Sequence, residues 1–191
     1  GGESLEPHGL IARYSFEGGV AEDDAPGPLG RGIHADVLGG GSVGAGGIQG
    51  DALWLSGSQD YAEAGAIDDY VLSLNGDLTL SLWTKLDSLG AGSWANTLIA
   101  YGTNDYYLED EETNYSYWLN LTNDSGGTYL RFYWEYSGGY NVSSYSSVPL
   151  DIEFDTWHHI VATRDADAMG VRFYLDGNLV GDPVPFDRLP T

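Results

Sequence analysis

Apolar and polar residues alternate along much of this chain with a period of two. A β-strand imposes that period, because successive side chains point to opposite faces. The clearest case is Phe154 to Gly181, FDTWHHIVATRDADAMGVRFYLDGNLVG. Ile160 and Ala162 share one face there, and His159, Val161 and Thr163 share the other. Val171, Phe173 and Leu175 then alternate with Arg172, Tyr174 and Asp176. Between apolar runs, Asp176-Gly177 predicts a tight hairpin, because such turns need positive φ. In YLRFYWEY, Leu130, Phe132, Trp134 and Tyr136 form a core face opposite Tyr129, Arg131, Tyr133 and Glu135. In YSYWLNLT, Tyr115, Tyr117, Leu119 and Leu121 alternate with Ser116, Trp118, Asn120 and Thr122. No long stretch has the period of an amphipathic helix. The expectation is an all-β antiparallel sandwich. Residues 18–50 and 103–114 lack alternation and read as a long rim loop and an acidic loop.

Composition narrows this picture. A length of 191 residues suits one sandwich domain, and 28 glycines suit many short strands joined by tight turns. The absence of cysteine excludes disulfides and thiolate metal sites. No apolar run is long enough to span a bilayer. Twenty-nine acidic residues against seven basic ones give a formal net charge of −22, and Lys85 is the only lysine. That surface is a poor partner for nucleic acid or anionic membrane and a good one for cations. It also fits adaptation to high salt, where the Debye length falls to ~3 Å and acid–acid repulsion is screened.

The tail resembles the "W-H-H … Y-L-D-G" signature of laminin-G-like domains, in the concanavalin A-like jelly-roll superfamily. Four further stretches are similar to that family in order. GLIARYSFEGG (Gly9 to Gly19) resembles its opening strand. DALWLSGSQDYAEAG (Asp51 to Gly65) resembles a strand pair. NGDLTLSLWTKLDSL (Asn75 to Leu89) resembles its central strand, and YSYWLNLTNDSGGTYLRFYW (Tyr115 to Trp134) its middle hairpin. The resemblance implies a jelly roll over residues 9–191, preceded by a linker or remnant at residues 1–8. It also implies one or two closing strands near the C-terminus. The Pro-rich DPVPFDRLPT does not read as such a strand, so the sandwich either lacks its closing strands, or has closing strands that diverge beyond recognition, or receives them from another chain through an open sheet edge suited to self-assembly.

Candidate chemistry follows from the residues and the resemblance together. Jelly rolls of this type often hold calcium near the loop after the first strand. The resemblance places Asp24 there, with Glu17 or Asp23 assisting, in a loop that can supply several oxygens. A weaker second site is Asp105 to Glu112. Sugars stack C–H faces on aromatic rings, and the outward set Trp118, Tyr129, Arg131, Tyr133 and Glu135 mixes aromatics with both charges. Asn114, Asn120, Asn123 and Asn141 stand in acceptor sequons for glycosylation. Occupied, they would obstruct a glycan-binding face in the same region. His158 and His159 point to opposite strand faces and cannot chelate one ion together. One is expected to pack inward with a hydrogen bond. Asp151, Glu153 and Asp155, and the run Glu109 to Glu112, are the only candidates for a catalytic acid pair. The first lies in a connection after Pro149 and the second lacks strand alternation, so no catalytic residue is assigned.

The reading is a non-catalytic extracellular recognition or adhesion module that binds a glycan or glycoprotein, with calcium as an expected cofactor. The alternative is a glycosylated structural subunit of a surface appendage or envelope, its sheet completed by a neighbour. A polysaccharide-degrading enzyme is the third. The charge balance predicts that the folded chain loses stability as salt is removed. Thermal melting in 2 M, 0.5 M and 0.05 M KCl, roughly spanning strong to weak screening, is expected to show Tm falling stepwise.

Overall fold

The computed structural model describes residues 9–25, 32–57, 59–65, 76–90, 96–101, 116–136 and 142–185. Side chains at 116, 124, 135, 136 and 142–146 are outside that description, as are the candidate sites at Asp105 to Glu112, Glu109 to Glu112, Asn114 and Asn141 and the N-terminal segment 1–8. The described residues form twelve strands, all paired antiparallel, with no α-helix. The chain divides into two compact units, residues 1–69 and 70–191.

The first unit holds β1 (Ala35–Leu38), β2 (Ser42–Ala45), β3 (Asp51–Trp54) and β4 (Tyr61–Ala64). They form two small sheets, β1 with β4 and β2 with β3. Three expectations are corrected here. Residues 18–50 are not one loop, because they contain β1 and β2; four-residue strands rich in Gly and Ala carry too few alternations to show in sequence. The Asp51–Gly65 stretch holds two strands as expected, but they pair with β2 and β1 and not with each other. Gly9 to Gly19 forms no strand. Phe16, Gly18 and Gly19 all have positive φ, which breaks an extended run, and only an isolated bridge joins Tyr14 to Asp23.

The second unit is a sandwich of two four-stranded sheets. One has the order β12–β11–β10–β5, with β5 at Leu78–Lys85, β10 at Trp157–Asp165, β11 at Gly170–Leu175 and β12 at Asn178–Pro185. The other has the order β6–β7–β8–β9, with β6 at Thr97–Tyr101, β7 at Ser116–Asp124, β8 at Gly127–Tyr136 and β9 at Val142–Pro149. Their inner faces meet in one core. Leu78, Leu80, Ile160, Ala162, Val171 and Phe173 come from the first sheet, and Leu119, Leu121, Leu130, Phe132, Trp134 and Val148 from the second. Burying a side chain the size of Phe132 or Phe173 contributes about 1.5–3 kcal/mol. Burial on β10 alternates residue by residue from Trp157 to Asp165, as the sequence pattern predicts.

The closing segment differs from expectation. Asn178 to Pro185 is a strand, β12, despite two prolines. It lies at the end of its sheet order, where a missing N–H is tolerated. Gly181, Asp182 and Pro183 stand opposite Arg172 alone, a bulge that Gly181 enters with φ 67°.

One carboxylate fixes the register of the β10–β11 pair. Asp176 and Gly177 have φ of 50° and 79°, the geometry of a tight hairpin turn. Asp176 donates its backbone N–H to His159 O at 2.9 Å. Its Oδ1 accepts the His159 backbone N–H at 2.8 Å, and its Oδ2 lies 2.8 Å from His158 Nδ1. These bonds, led by the one from His158, hold the Asp176 carboxyl below the usual carboxylate range. A depressed folded value means stability that is present above about pH 4 and lost as pH falls through the folded value. Asp176→Ala is expected to lose about 1 kcal/mol at neutral pH, the worth of charged hydrogen bonds discounted for exposure. Between pH 5 and 2 its stability, read by urea unfolding, should fall less steeply than that of the wild-type chain.

Candidate functional site

The outward face of the β6–β9 sheet gathers most of the residues expected to bind ligand. Strands β7 and β8 are joined by the turn Ser125-Gly126, and Gly127 takes φ 124°. The resulting register sets Trp118 opposite Tyr133, Asn120 opposite Arg131 and Thr122 opposite Tyr129. The Trp118 and Tyr133 rings lie 4.7 Å apart at 52°. On the next strand, Tyr133 faces Tyr145 and Arg131 faces Ser147 in backbone register. On the other side Trp118 pairs with Ala100, an exposed small residue.

Depth varies along this face. Trp118, Tyr129 and Arg131 are half-buried, while Tyr133 is 8% exposed and Asn120 2%. Thr122 is fully buried, and its Oγ1 has no hydrogen-bond partner among the described residues. A buried unsatisfied hydroxyl costs about 1–3 kcal/mol, so polarity is maintained here against stability. Tyr129 turns its hydroxyl back onto Gly126 O at 3.3 Å and serves the hairpin. The backbone of Glu135 pairs with Ser116 at the far end of the face. Two acceptor asparagines separate: Asn123 is exposed, whereas Asn120 lies in the middle of a paired strand, too deep to carry a glycan in the folded chain.

The proposed calcium residues belong to the first unit and are engaged by protein donors. Asp23 Oδ1 accepts the backbone N–H groups of Arg13 and Ala25, each at 3.0 Å, and Oδ2 that of Ile33 at 3.3 Å. Burial pushes the Asp23 carboxyl up, but these N–H groups outweigh it and the net shift is downward. Asp24 meets Arg13 Nε at 2.6 Å and Ser15 Oγ at 2.5 Å, and the Arg13 bond leads in lowering its carboxyl. Tyr14 donates to Ile33 O at 2.7 Å, and burial beside Asp23 raises its hydroxyl to about 12. Glu17 lies against Gly50, apart from this hydrogen-bonded cluster. A cation at Asp24 would compete with Arg13. Among the described residues no three carboxylate or imidazole groups converge as a metal site.

The histidines behave as strand neighbours. His158 packs inward, its Nε2 3.1 Å from Glu153 O and its Nδ1 on Asp176. His159 faces outward, its Nε2 2.8 Å from Ser81 Oγ. Asp151 to Asp155 lies in the connection before β10, where Asp155 has φ 56°, and not across a cleft. One residue the sequence reading did not single out is Trp83, 49% exposed on β5. The signal was present: Leu78, Leu80 and Leu82 set the inward face of LTLSLWTK, so Trp83 must point out.

Comparison with known proteins gives two findings. The model of the concanavalin A-like lectin/glucanases superfamily, laminin-G type, matches residues 56–191. Domain 4 of a GH43 extracellular arabinanase from Geobacillus stearothermophilus, solved in complex with arabinotriose, is similar in fold. Its TM-score is 0.60 at 19% identity, over 95% of this chain and 78% of that one. No curated protein matches the chain in sequence.

The different depths of the aromatic pair predict separable effects. Tyr133→Ala should destabilise the chain by about 3 kcal/mol, as loss of a buried aromatic does. Trp118→Ala, half-exposed, should cost less than half of that in the same denaturant titration, which makes it the cleaner variant for ligand studies.

Proposed function

Because the chain belongs to the concanavalin A-like lectin/glucanase superfamily, we propose that it is a non-catalytic carbohydrate-binding module acting outside the cell. The observation that carries this reading is the outward face of β7 and β8. It sets the Trp118–Tyr133 pair beside Asn120, Arg131 and a buried Thr122 hydroxyl. A sugar ring fits such a surface. Its C–H face stacks on the half-exposed Trp118, while its hydroxyls meet the half-buried Arg131 guanidinium, with Asn120 and Thr122 too deeply buried to take part. Tyr133, almost wholly buried, backs the indole and limits its rotation, so less conformational entropy is lost on binding.

The arabinotriose in the structural neighbour makes arabino-oligosaccharides the first ligands to test. The fold itself hosts many activities, so function lies in the face and not in the architecture.

Calorimetric titration with arabinotriose and longer arabino-, xylo- and gluco-oligosaccharides tests the reading. One series is expected to bind saturably. Trp118→Ala should then weaken that binding at least about tenfold, or ~1.4 kcal/mol, with the fold intact by circular dichroism. Unchanged affinity in Trp118→Ala would overturn this site.

A further inference from the structure

The opposite sheet carries a second aromatic surface. On β5 the residues Thr79, Ser81, Trp83 and Lys85 are all exposed, alternating with the core-facing leucines. Strand β10 lies beside it in a register that sets Trp83 opposite His159, Lys85 opposite Trp157 and Ser81 opposite Val161. The Trp83 and His159 rings stack at 5.0 Å with 24° between their planes. His159 is held in turn by Ser81 Oγ at 2.8 Å from Nε2. Lys85 Nζ lies 5.7 Å from the Trp157 ring centroid, within range of a cation–π contact.

Two side chains, His159 stacked on it and Ser81 holding His159, therefore orient one ring that remains half in water. The imidazole covers one face of the indole, and the exposed part is flat, fixed and apolar. A polar residue at this position would serve solubility better, and the arrangement adds nothing to the core. What it provides is a preorganised stacking surface bordered by hydroxyls, since the Ser81 hydroxyl retains hydrogen-bonding capacity beyond its bond to His159.

We propose that Trp83, positioned by His159 and Ser81, is the centre of a second carbohydrate site for neutral polysaccharide, on the face of the sandwich opposite Trp118. The ligand class follows from chemistry on both sides. A bare indole face takes the C–H face of a pyranose or furanose ring. The net charge of −22 repels anionic polymers and a second copy of the chain, but not an uncharged one. The two faces look in opposite directions, so the module bridges two polysaccharide chains instead of gripping one twice. The choice of carbohydrate rests on the function proposed above, but the location does not.

Affinity electrophoresis of four chains separates the possibilities: wild type, Trp83→Ala, Trp118→Ala and the double variant. Native gels contain linear arabinan, xylan or mixed-linkage β-glucan, with polygalacturonate as the anionic control. In at least one neutral gel, Trp83→Ala is expected to lose about tenfold in apparent affinity and the double variant to run unretarded. Trp83→Tyr should restore most of the retardation, and His159→Ala should give an intermediate loss with unchanged Tm. Retardation of Trp83→Ala equal to wild type overturns the second site, whatever Trp118→Ala does. Retardation lost in Trp83→Ala but unchanged in Trp118→Ala overturns the Trp118 site and leaves this one standing. Stronger retardation by polygalacturonate than by any neutral gel overturns the ligand class. A wild-type dimer that Trp83→Ala converts to a monomer in sedimentation overturns the proposal in favour of self-association. No retardation of the wild type in any gel overturns both sites.

Discussion

The register of β10 is the constraint on which the second unit depends, and the Asp176 carboxylate fixes it. A one-residue slip in a strand exchanges its two faces. On β10 such a slip would turn Ile160 and Ala162 outward and place His159 and Val161 in the core. Asp176 opposes this by holding the His159 N–H and the His158 ring at the end of the ladder, where hairpin strands are most free to fray. The turn Asp176-Gly177 carries the same alignment on from β11 into β12. Strand β10 lies between β11 and β5, so its register passes to both neighbours. The inward row of leucines on β5 and the outward position of Trp83 follow from the same alignment.

That alignment links fold to function. In each four-stranded sheet, alternation gives one face to the core and turns the other away from it. Both free faces carry aromatics where short polar residues would suffice. On β7 and β8 the pair Trp118–Tyr133 is recessed among polar groups, and on β5 and β10 the pair Trp83–His159 is more open. The core does not require either pair. Their rigidity comes from contacts across strands, the usual unit of sheet stabilisation, so ring orientation is inherited from the register.

Much of this was legible in the sequence because the strands that matter are long. Eight or more residues of alternation mark β5, β7, β8 and β10, and the Asp-Gly pair marks the turn into β12. The first unit was opaque for a physical reason. Strands of four residues, such as SVGA and ADVL, are shorter than the stretch over which alternation becomes a pattern. The second half of β12, Asp182–Pro185, was hidden by Pro183 and Pro185, which an edge position tolerates. Within the candidate site, the pattern gave direction but not depth. Trp118 and Asn120 alternate onto the same face, yet only the folded chain shows that one is reachable and the other is sealed. The resemblance placed Asp24 and Asp23 in a loop, but nothing local in the sequence showed that Arg13 and Ser15, about ten residues earlier, fold back onto them.

Charge and aromatic content bear on one another. At a net charge of −22, recognition by ion pairing is hard to build, because most surface groups have the same sign and screening by salt weakens the rest. Stacking on an indole has the opposite dependence. Salts excluded from protein surfaces raise the effective cost of leaving apolar area in water, so ring contacts strengthen under conditions that weaken charge contacts. An acidic domain in strong salt therefore keeps one dependable means of binding an uncharged polymer, a flat ring fixed in place. Among its described residues the second unit has Trp83 and Trp118 on opposite sheets, each beside an aromatic neighbour across the strand. The acidic surface around them keeps the exposed indoles of separate molecules apart when salt is low. When salt is high that repulsion is screened, and a ligand of the kind proposed would compete with self-association for the same rings. Polar groups such as the Ser81 hydroxyl, held on His159 beside Trp83, would favour a sugar in that competition, since another indole cannot satisfy them.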